Sequence, residues 1–300
     1  MAAHRSSQVL KESAPRSFAA LVAEFLEKHA RQRRHYPTYK VNSNRLLEHF
    51  RGKDLQEIGP AQVEDYLSSR LATGISRATA NRERALLSGI FSFAIRRGYY
   101  AGDNPCRKVK PFPESPGRDR YLTPEEAEAL VGAASPRLRP ILITALHTGG
   151  RLSEVLSLRW TDLDFIHGIV YFDRSSTKSG RQREVPMTPE LAGVLEAWRG
   201  RRRRAGQTEE YVFTYRGKRV RGVRRSFARA REAAGLGPEV GFHTLRHTFA
   251  SWYVINGGDL LRLQRFLGHS TLALTQRYAH LSKEFIKAGL QFIGAPAKDR

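Results

Sequence analysis

Six residues in the later part of the chain carry side chains that could together perform chemistry on a phosphate group. They are Arg151, Lys178, His243, Arg246, His269 and Tyr278. Two arginines can grip the non-bridging oxygens of a phosphodiester with planar, bidentate hydrogen bonds while its charge rises as a nucleophile adds. In other phosphoryl-transfer systems, preorganised cations contribute on the order of 10³ or more in rate per arginine. The set therefore indicates phosphoryl transfer.

The remaining side chains supply the other groups that such a reaction needs. A histidine can donate a hydrogen bond to a phosphate oxygen or move a proton near neutral pH. A lysine on a turn can protonate a leaving oxygen, provided that neighbouring cations lower its pKa. A tyrosine hydroxyl, whose ordinary pKa is about 10, is a poor nucleophile until a base or a positive field activates it. Each residue alone is more typical of a surface or core position, so the prediction rests on the set, which fills every role without a metal.

The local sequence predicts a different structural setting for each of these residues. Arg151 follows two glycines at the start of a helix, and Lys178 lies at the tip of a hairpin between the β-rich segments GIVYFDR and REVPM. His243 and Arg246 are three residues apart, so they share a helix face. His269 lies in FLGHS, between two helical segments.

The surrounding chain divides into two domains, as its 300 residues suggest. We expect a disordered polar tail over 1–15 and an all-α domain of about four helices over 16–108. Prolines and charges over 109–118 indicate a linker. Residues 119–300 are expected to form an α-rich domain with a small antiparallel sheet. It begins with the N-terminal capping box of TPEE, in which Thr123 caps the helix.

The composition favours a polyanionic partner. The chain has 51 Lys and Arg against 29 Asp and Glu, a net charge of +22. Nucleic acid is the leading partner that this excess predicts, and an anionic membrane surface is the second. For any single basic residue, a solvated surface position remains the more common interpretation. The densest charge run is RGRRRRAG, 199–206.

Composition and patterning also exclude several classes of protein. The single cysteine, Cys106, leaves no internal disulfide and no multi-cysteine zinc site. No apolar run approaches the roughly 18 residues that span a bilayer. The first residues, MAAHRSSQVLKES, lack the apolar core of a secretory signal. We therefore expect a cytoplasmic protein.

Four segments, in their order along the chain, resemble the tyrosine recombinases, also called the phage integrase family. They are TGGRLSEVLSLRW, STKSGRQREVPM, HTLRHTFAS and LGHSTLALTQRYAH. NRERALLSGIFSFAIRRGYYAGDNP, in the first domain, is also similar to the end of that family's core-binding domain. The resemblance implies a mainly α fold, in which a small SAM-like core-binding domain precedes an α+β catalytic domain of the DNA breaking-rejoining type.

The resemblance also implies a role for each residue. Arg151 and Arg246 would bind the scissile phosphate, and Lys178 would protonate the 5′-oxygen leaving group. His243 and His269 would assist by hydrogen bonding and proton transfer. Tyr278 would attack and form a 3′-phosphotyrosine. Glu154 would support the site from behind Arg151.

The partners and cofactors follow from the same resemblance. It implies a clamp around double-stranded DNA, strand exchange between two duplexes without cofactor, metal or ATP, and a homotetramer assembled on DNA. The tail KEFIKAGLQFIG would suit docking onto a neighbouring subunit, with packing on its own domain as the alternative. DNA-contact candidates are Arg77, Arg82, Arg84, Arg183, Arg201 and Arg202.

The sequence departs from the larger members of this family in two respects. The position after His243, often acidic in the family, is Thr244 here. About 16 residues precede the first predicted helix, which leaves no room for a separate arm-binding domain. The architecture is therefore expected to be Xer-like.

Three other functions compete with this interpretation. His243 and His247 are four apart, as zinc ligands on a helix are, but the glutamate of a zincin is replaced by Thr244. We therefore interpret His247 as a helix-packing residue that buttresses the site. A non-catalytic DNA-binding protein would not need Lys178, His269 and Tyr278 together. A type IB topoisomerase shares the tyrosine and the cations but relaxes DNA without exchanging strands.

Overall fold

The computed structural model describes residues 17–31, 36–114, 120–172, 182–206 and 209–282. The chain forms two compact units, Met1–Gly117 and Arg118–Arg300. Three predicted features lie outside the described residues: the tail over 1–15, the hairpin tip with Lys178, and the C-terminal segment from 283. The end of the predicted linker, 115–118, lies outside them as well.

The first unit is helical, as its apolar periodicity predicts. Its helices are α1 (Phe18–Phe25), which continues as a π-helical turn over Leu26–Ala30, α2 (Tyr36–His49), α3 (Pro60–Ala72) and α4 (Arg77–Arg97). Ser17 and Ser76 cap α1 and α4 with their hydroxyls. Gly98 ends α4 with φ of 73°, a left-handed conformation that suits glycine. The inner faces of these helices form one apolar core.

The second unit combines eight described α-helices with two small sheets. The helices are α5 (Pro124–Gly132), α6 (Arg139–Thr148), α7 (Leu152–Val155), α8 (Pro189–Arg204), α9 (Arg224–Ala233), α10 (Phe242–Ile255), α11 (Leu260–Leu267) and α12 (Ala273–Gln276). The predicted capping box at Thr123 is confirmed, with reciprocal hydrogen bonds between Thr123 and Glu126. Helix α6 is almost entirely buried and packs against α10.

The three-stranded sheet contains the predicted hairpin. Its strands are β1 (Leu163–Asp164), β2 (Ile169–Phe172) and β3 (Arg183–Pro186), all antiparallel in that order. Val170 faces Val185 across the pair, and both are buried in the core. A second hairpin, β4 (Thr214–Tyr215) with β5 (Lys218–Arg219), is not predicted by the sequence pattern.

The described part of the chain contains no helix that is both long and apolar enough to cross a membrane.

Candidate active site

The turn between α6 and α7 positions Arg151. Helix α6 ends at Gly149, whose φ is +60°, and Arg151 is the N-cap of α7. The backbone N–H of Arg151 donates to Glu154 Oε2 at 2.8 Å, and its guanidinium donates to Glu154 Oε1 at 2.7 Å. One carboxylate therefore fixes both the turn and the arginine, whose side chain keeps 25% of its surface exposed.

A second arginine binds the same carboxylate. Arg183, on β3, pairs with Glu154 Oε2 at 2.6 Å and donates a further hydrogen bond to the Phe266 carbonyl. Its guanidinium stacks 4.0 Å above the ring of Phe172. This side chain is only 4% exposed and its charge is matched by Glu154, which argues against the predicted DNA contact through Arg183.

Arg246 lies between the ends of two helices. It donates to the carbonyl of Gly149, the residue that caps the C-terminus of α6, at 2.8 Å and to the carbonyl of Leu267, the last residue of α11, at 2.6 Å. Among the described residues, no partner takes the other three of its five N–H donors. Burial, followed by the positive charges of Arg151 and Arg183, lowers the pKa of Arg246. The cluster therefore concentrates positive charge that an anion would stabilise.

His243 and His269 lie within the field of these cations. Burial, then the charges of Arg246 and Arg151, lowers the pKa of His269 to about 4. Its Nδ1 is hydrogen-bonded to Thr275 Oγ1 at 2.8 Å. His243 is exposed. Its pKa is nevertheless lowered to about 4, first because adjacent groups desolvate the ring and then because of the charges of His247 and Arg246. Both imidazoles are neutral at pH 7 and suited to hydrogen bonding.

Tyr278 follows α12 and is 2% exposed. It packs with Ala250, Val254, Leu263 and Leu267 in a small apolar cluster of its own unit. Its hydroxyl lies 2.7 Å from His247 Nδ1, within hydrogen-bonding distance. Tyr278 also interacts electrostatically with Arg246.

The hydrogen bond to Tyr278 corrects the sequence interpretation of His247. His247 is half-buried on α10, and its ring contacts both His243, at 4.9 Å between centroids, and Tyr278, at 6.0 Å. It therefore contacts the tyrosine directly and does more than fill space in the helix packing. Within the described residues, no three His, Cys, Asp or Glu side chains form a group that could hold a metal ion.

The structure brings five of the six predicted chemical residues into one neighbourhood. Arg246 joins the turn before Arg151 to the turn before His269, and α10 carries His243 and reaches Tyr278 through His247. Lys178, the sixth, lies outside the described residues.

The other predicted DNA contacts divide by exposure. Arg77, Arg82 and Arg201 are exposed. Arg84 is half-buried and donates to the Val109 carbonyl at 2.9 Å. Arg202 is 8% exposed and pairs with Glu209 at 2.7 Å, which argues against the predicted DNA contact through Arg202.

Comparison with protein families gives two matches that together cover most of the chain. Residues 120–284 match the family described as the phage integrase family. Residues 15–113 match the phage integrase N-terminal domain.

The individual proteins to which this chain is similar are named as integrases or recombinases. The integrase of Escherichia phage P2 is 29% identical over 231 residues, which are 77% of this chain and 64% of that protein. Tyrosine recombinase XerC of Corynebacterium efficiens is 32% identical over 241 residues, 77% of this chain and 76% of that one. The chain thus spans just under two thirds of the length of the P2 integrase.

Solved structures share the fold. The Tn1549 transposon integrase in complex with a circular intermediate DNA has a TM-score of 0.79 at 19% identity, covering 93% of this chain and 100% of that one. A lambda integrase dimer bound to a COC′ core site has a TM-score of 0.74 at 21% identity, covering 86% and 97%. At these identities the likeness establishes the fold alone.

Proposed function

Since the chain belongs to the phage integrase family, we propose that it is a site-specific DNA recombinase that cleaves and rejoins strands through a 3′-phosphotyrosine. The observation that carries the proposal is the contact of a buried tyrosine with the same helix that supplies a phosphate-binding arginine. Tyr278 meets α10 through His247, and Arg246 is the preceding residue on that helix.

The cations are suited to bind the scissile phosphate. Arg151 is partly exposed, and Arg246 retains unused N–H donors, so the two guanidiniums can hold the non-bridging oxygens as charge accumulates on them. Neutral His243 and His269 can donate hydrogen bonds to the same oxygens. Lys178 is proposed to protonate the departing 5′-oxygen, and Glu154 to position Arg151.

The reaction that we propose conserves bond energy. A phosphotyrosine link replaces one phosphodiester, and a 5′-hydroxyl of another strand reverses the attack, so neither ATP nor a metal is required. We further propose that the protein acts on double-stranded DNA in the cytoplasm. There it would form a homotetramer through the C-terminal segment beyond residue 282.

Trapping the covalent intermediate tests this function. Purified protein is mixed with a nicked duplex library carrying candidate sites, in the presence of EDTA, and protein-linked DNA ends are mapped. The wild-type chain should form the adduct, and Tyr278→Phe should not. Tyr253 is another tyrosine packed beside the same cluster, and Tyr253→Phe should still form the adduct. An adduct that persists in Tyr278→Phe would remove Tyr278 as the nucleophile.

The mapped site then separates recombination from simple relaxation. Two duplexes carrying that site should exchange strands when incubated with the protein. Relaxation of a supercoiled plasmid without exchanged products would instead favour a topoisomerase-like activity.

A further inference from the structure

We propose that His247 is the general base that removes the phenolic proton of Tyr278 during DNA cleavage. The inference rests on the proposed function, in which Tyr278 is the nucleophile. It assigns a catalytic role to a residue that neither the motif nor the charge pattern of the sequence distinguishes from a packing residue.

The geometry places one imidazole nitrogen directly on the reacting atom. His247 Nδ1 and Tyr278 Oη are 2.7 Å apart, and the ring centroids are 6.0 Å apart. A general base must lie within about 2.6–3.2 Å of the atom whose proton it takes. In the tautomer that carries its proton on Nε2, His247 accepts the phenolic proton through Nδ1 without rearrangement.

The other two histidines of the cluster are less suited to take the phenolic proton. His269 Nδ1 is bonded to Thr275 Oγ1, and neighbouring burial and cations lower the pKa of both His243 and His269 to about 4. Such weak bases are poorly matched to a phenol whose ordinary pKa is about 10. They suit the phosphate oxygens, whereas His247 is the histidine whose Nδ1 lies within hydrogen-bonding distance of the tyrosine hydroxyl.

The surroundings of Tyr278 favour transfer to His247 over transfer to solvent. The tyrosine is 2% exposed, so bulk water has little access to its hydroxyl. Arg246 interacts electrostatically with the same tyrosine, and its positive charge would stabilise a developing phenolate. Base and stabilising cation are thus consecutive residues of α10.

Atoms and charges balance in this step. The proton moves from Tyr278 Oη to His247 Nδ1, the bond from Oη to phosphorus forms, and the bond from phosphorus to the 5′-oxygen breaks. The 5′-oxygen leaves with a proton from the acid that the proposed function assigns to Lys178. In the reverse reaction, the 5′-hydroxyl gives its proton back to the group assigned to Lys178 as it attacks phosphorus, the bond from phosphorus to Oη breaks, and the imidazolium of His247 returns its proton to Oη.

Single-turnover cleavage by the full chain on its mapped site tests the assignment. His247→Asn places a polar atom near the position of Nδ1 but cannot take up a proton at neutral pH. A general base contributes about 10²–10⁴ in rate, so we expect cleavage to slow at least 10²-fold while DNA affinity stays within about threefold. Cleavage within threefold of wild type overturns the assignment.

Two rescue experiments separate a base from the acid and from a structural residue. A DNA substrate with sulfur in place of the bridging 5′-oxygen needs no acid, so it should restore Lys178→Ala and leave His247→Asn slow. Fluorinated tyrosine at position 278, a more acidic phenol, should restore His247→Asn at least tenfold and leave Lys178→Ala slow. The opposite pattern of rescue would assign His247 to the leaving group, and rescue by neither would make it structural.

A measurement on chain that retains His247 does not depend on whether the His247 variant folds. In chain labelled with ¹⁵N-histidine, Tyr278→Phe should shift the Nδ1 resonance of His247, and Tyr253→Phe should not. An unchanged resonance contradicts the contact. A wild-type chain that forms no adduct rejects the proposed function itself, whereas an adduct with unimpaired His247→Asn cleavage rejects only the role of His247.

Discussion

The carboxylate of Glu154 shows how single charges are organised around the site. It has no exposed side-chain surface and is bonded to Arg151 on one side and Arg183 on the other. A buried carboxylate without partners would be strongly unfavourable, and so would a buried arginine. Here each compensates the other, and the result is a fixed position for the arginine that faces the proposed phosphate.

Removing this charge should destabilise the second unit. Glu154→Gln leaves Arg183 buried without a counter-charge, so we expect a loss of about 3–5 kcal/mol in the free energy of unfolding at pH 7. Denaturant unfolding measures it. The matched control is Glu210→Gln, which breaks an exposed pair with Arg159 and should cost under about 1 kcal/mol. Equal effects would show that burial of the pair is unimportant.

The same carboxylate should give the protein a defined response to acid. Burial works to raise the pKa of Glu154, but the charges of Arg183 and Arg151 hold it below its ordinary value of 4.5. A lowered folded pKa contributes stability above 4.5 that is lost as pH falls through the folded pKa. The stability difference between wild type and Glu154→Gln should therefore shrink below pH 4.5, and a constant difference down to pH 2.5 would contradict it.

His269 should give a separate response at higher pH. Because its folded pKa of about 4 lies below the ordinary 6.5, the unfolded chain binds the proton more readily between these values. The stability contribution is complete above pH 6.5 and falls as pH drops toward 4. Unfolding titrations should show this slope in wild type and a reduced slope in His269→Asn, with the exposed His280→Asn as control. An unaltered slope in His269→Asn would contradict the assignment.

The sequence predicts which site residues lie together when they belong to one short motif. It does not predict contacts between residues that are far apart in the chain. His243 and Arg246 share a helix and their proximity follows from spacing alone. The bond between His247 and Tyr278 joins residues 31 apart, and that between Arg183 and Glu154 joins residues 29 apart. Both depend on how α10, α12 and β3 pack, which single-chain periodicity does not encode.

At the scale of elements, the end of α6 sets the geometry of the site. Gly149 adopts a left-handed conformation, and its carbonyl accepts the hydrogen bond from Arg246. A Cβ atom added there would lie 2.6 Å from the Phe249 ring and 2.9 Å from Leu267. One turn therefore ends a helix, packs against α10 and α11, and anchors Arg246, which we propose binds the phosphate.

Gly149→Ala should impair both stability and cleavage. The left-handed conformation costs a non-glycine residue about 1–2 kcal/mol before the steric contacts are counted. We expect a loss of at least that size in unfolding free energy and a slower cleavage rate. Gly193→Ala, in the interior of α8 with open space around it, should instead stabilise by about 0.5–1 kcal/mol. We therefore expect the change from glycine to alanine to lower the unfolding free energy at position 149 and to raise it at position 193. Stabilisation at both positions would contradict this prediction.

The elements that the sequence predicted are those with strong local signals. The capping box at Thr123, the glycine at the end of α6 and the alternating residues of β2 and β3 each specify structure within a few residues. Strands β1, β4 and β5 have two residues each, too short for any periodicity to be detected. Their pairing is fixed by the packing around them.

At the scale of the whole molecule, the charge of +22 is the property that bears most directly on the DNA binding that we propose. The structure divides this charge into two kinds. Some guanidiniums, such as those of Arg183 and Arg202, are buried and paired with carboxylates. Others, such as those of Arg77, Arg82 and Arg201, are exposed and available to phosphates. Net charge alone does not distinguish them, because a partner carboxylate can lie far away in sequence.

Arg201 and Arg202, adjacent on α8, provide a direct test of this division. Each phosphate contact changes the slope of log K against log salt concentration by about 0.9 on B-DNA. If Arg201 contacts phosphate, Arg201→Ala should reduce the slope by about one unit and leave the unfolding free energy nearly unchanged.

Arg202→Ala should show the reverse pattern. It removes the partner of Glu209 and the hydrogen bond to the buried Thr214, so the unfolding free energy should fall while the salt slope of the folded protein stays constant. DNA binding titrated over a range of salt concentrations, with unfolding measured on the same samples, gives both quantities. Two substitutions with the same effect on the slope would show that burial does not separate structural from DNA-binding arginines in this protein.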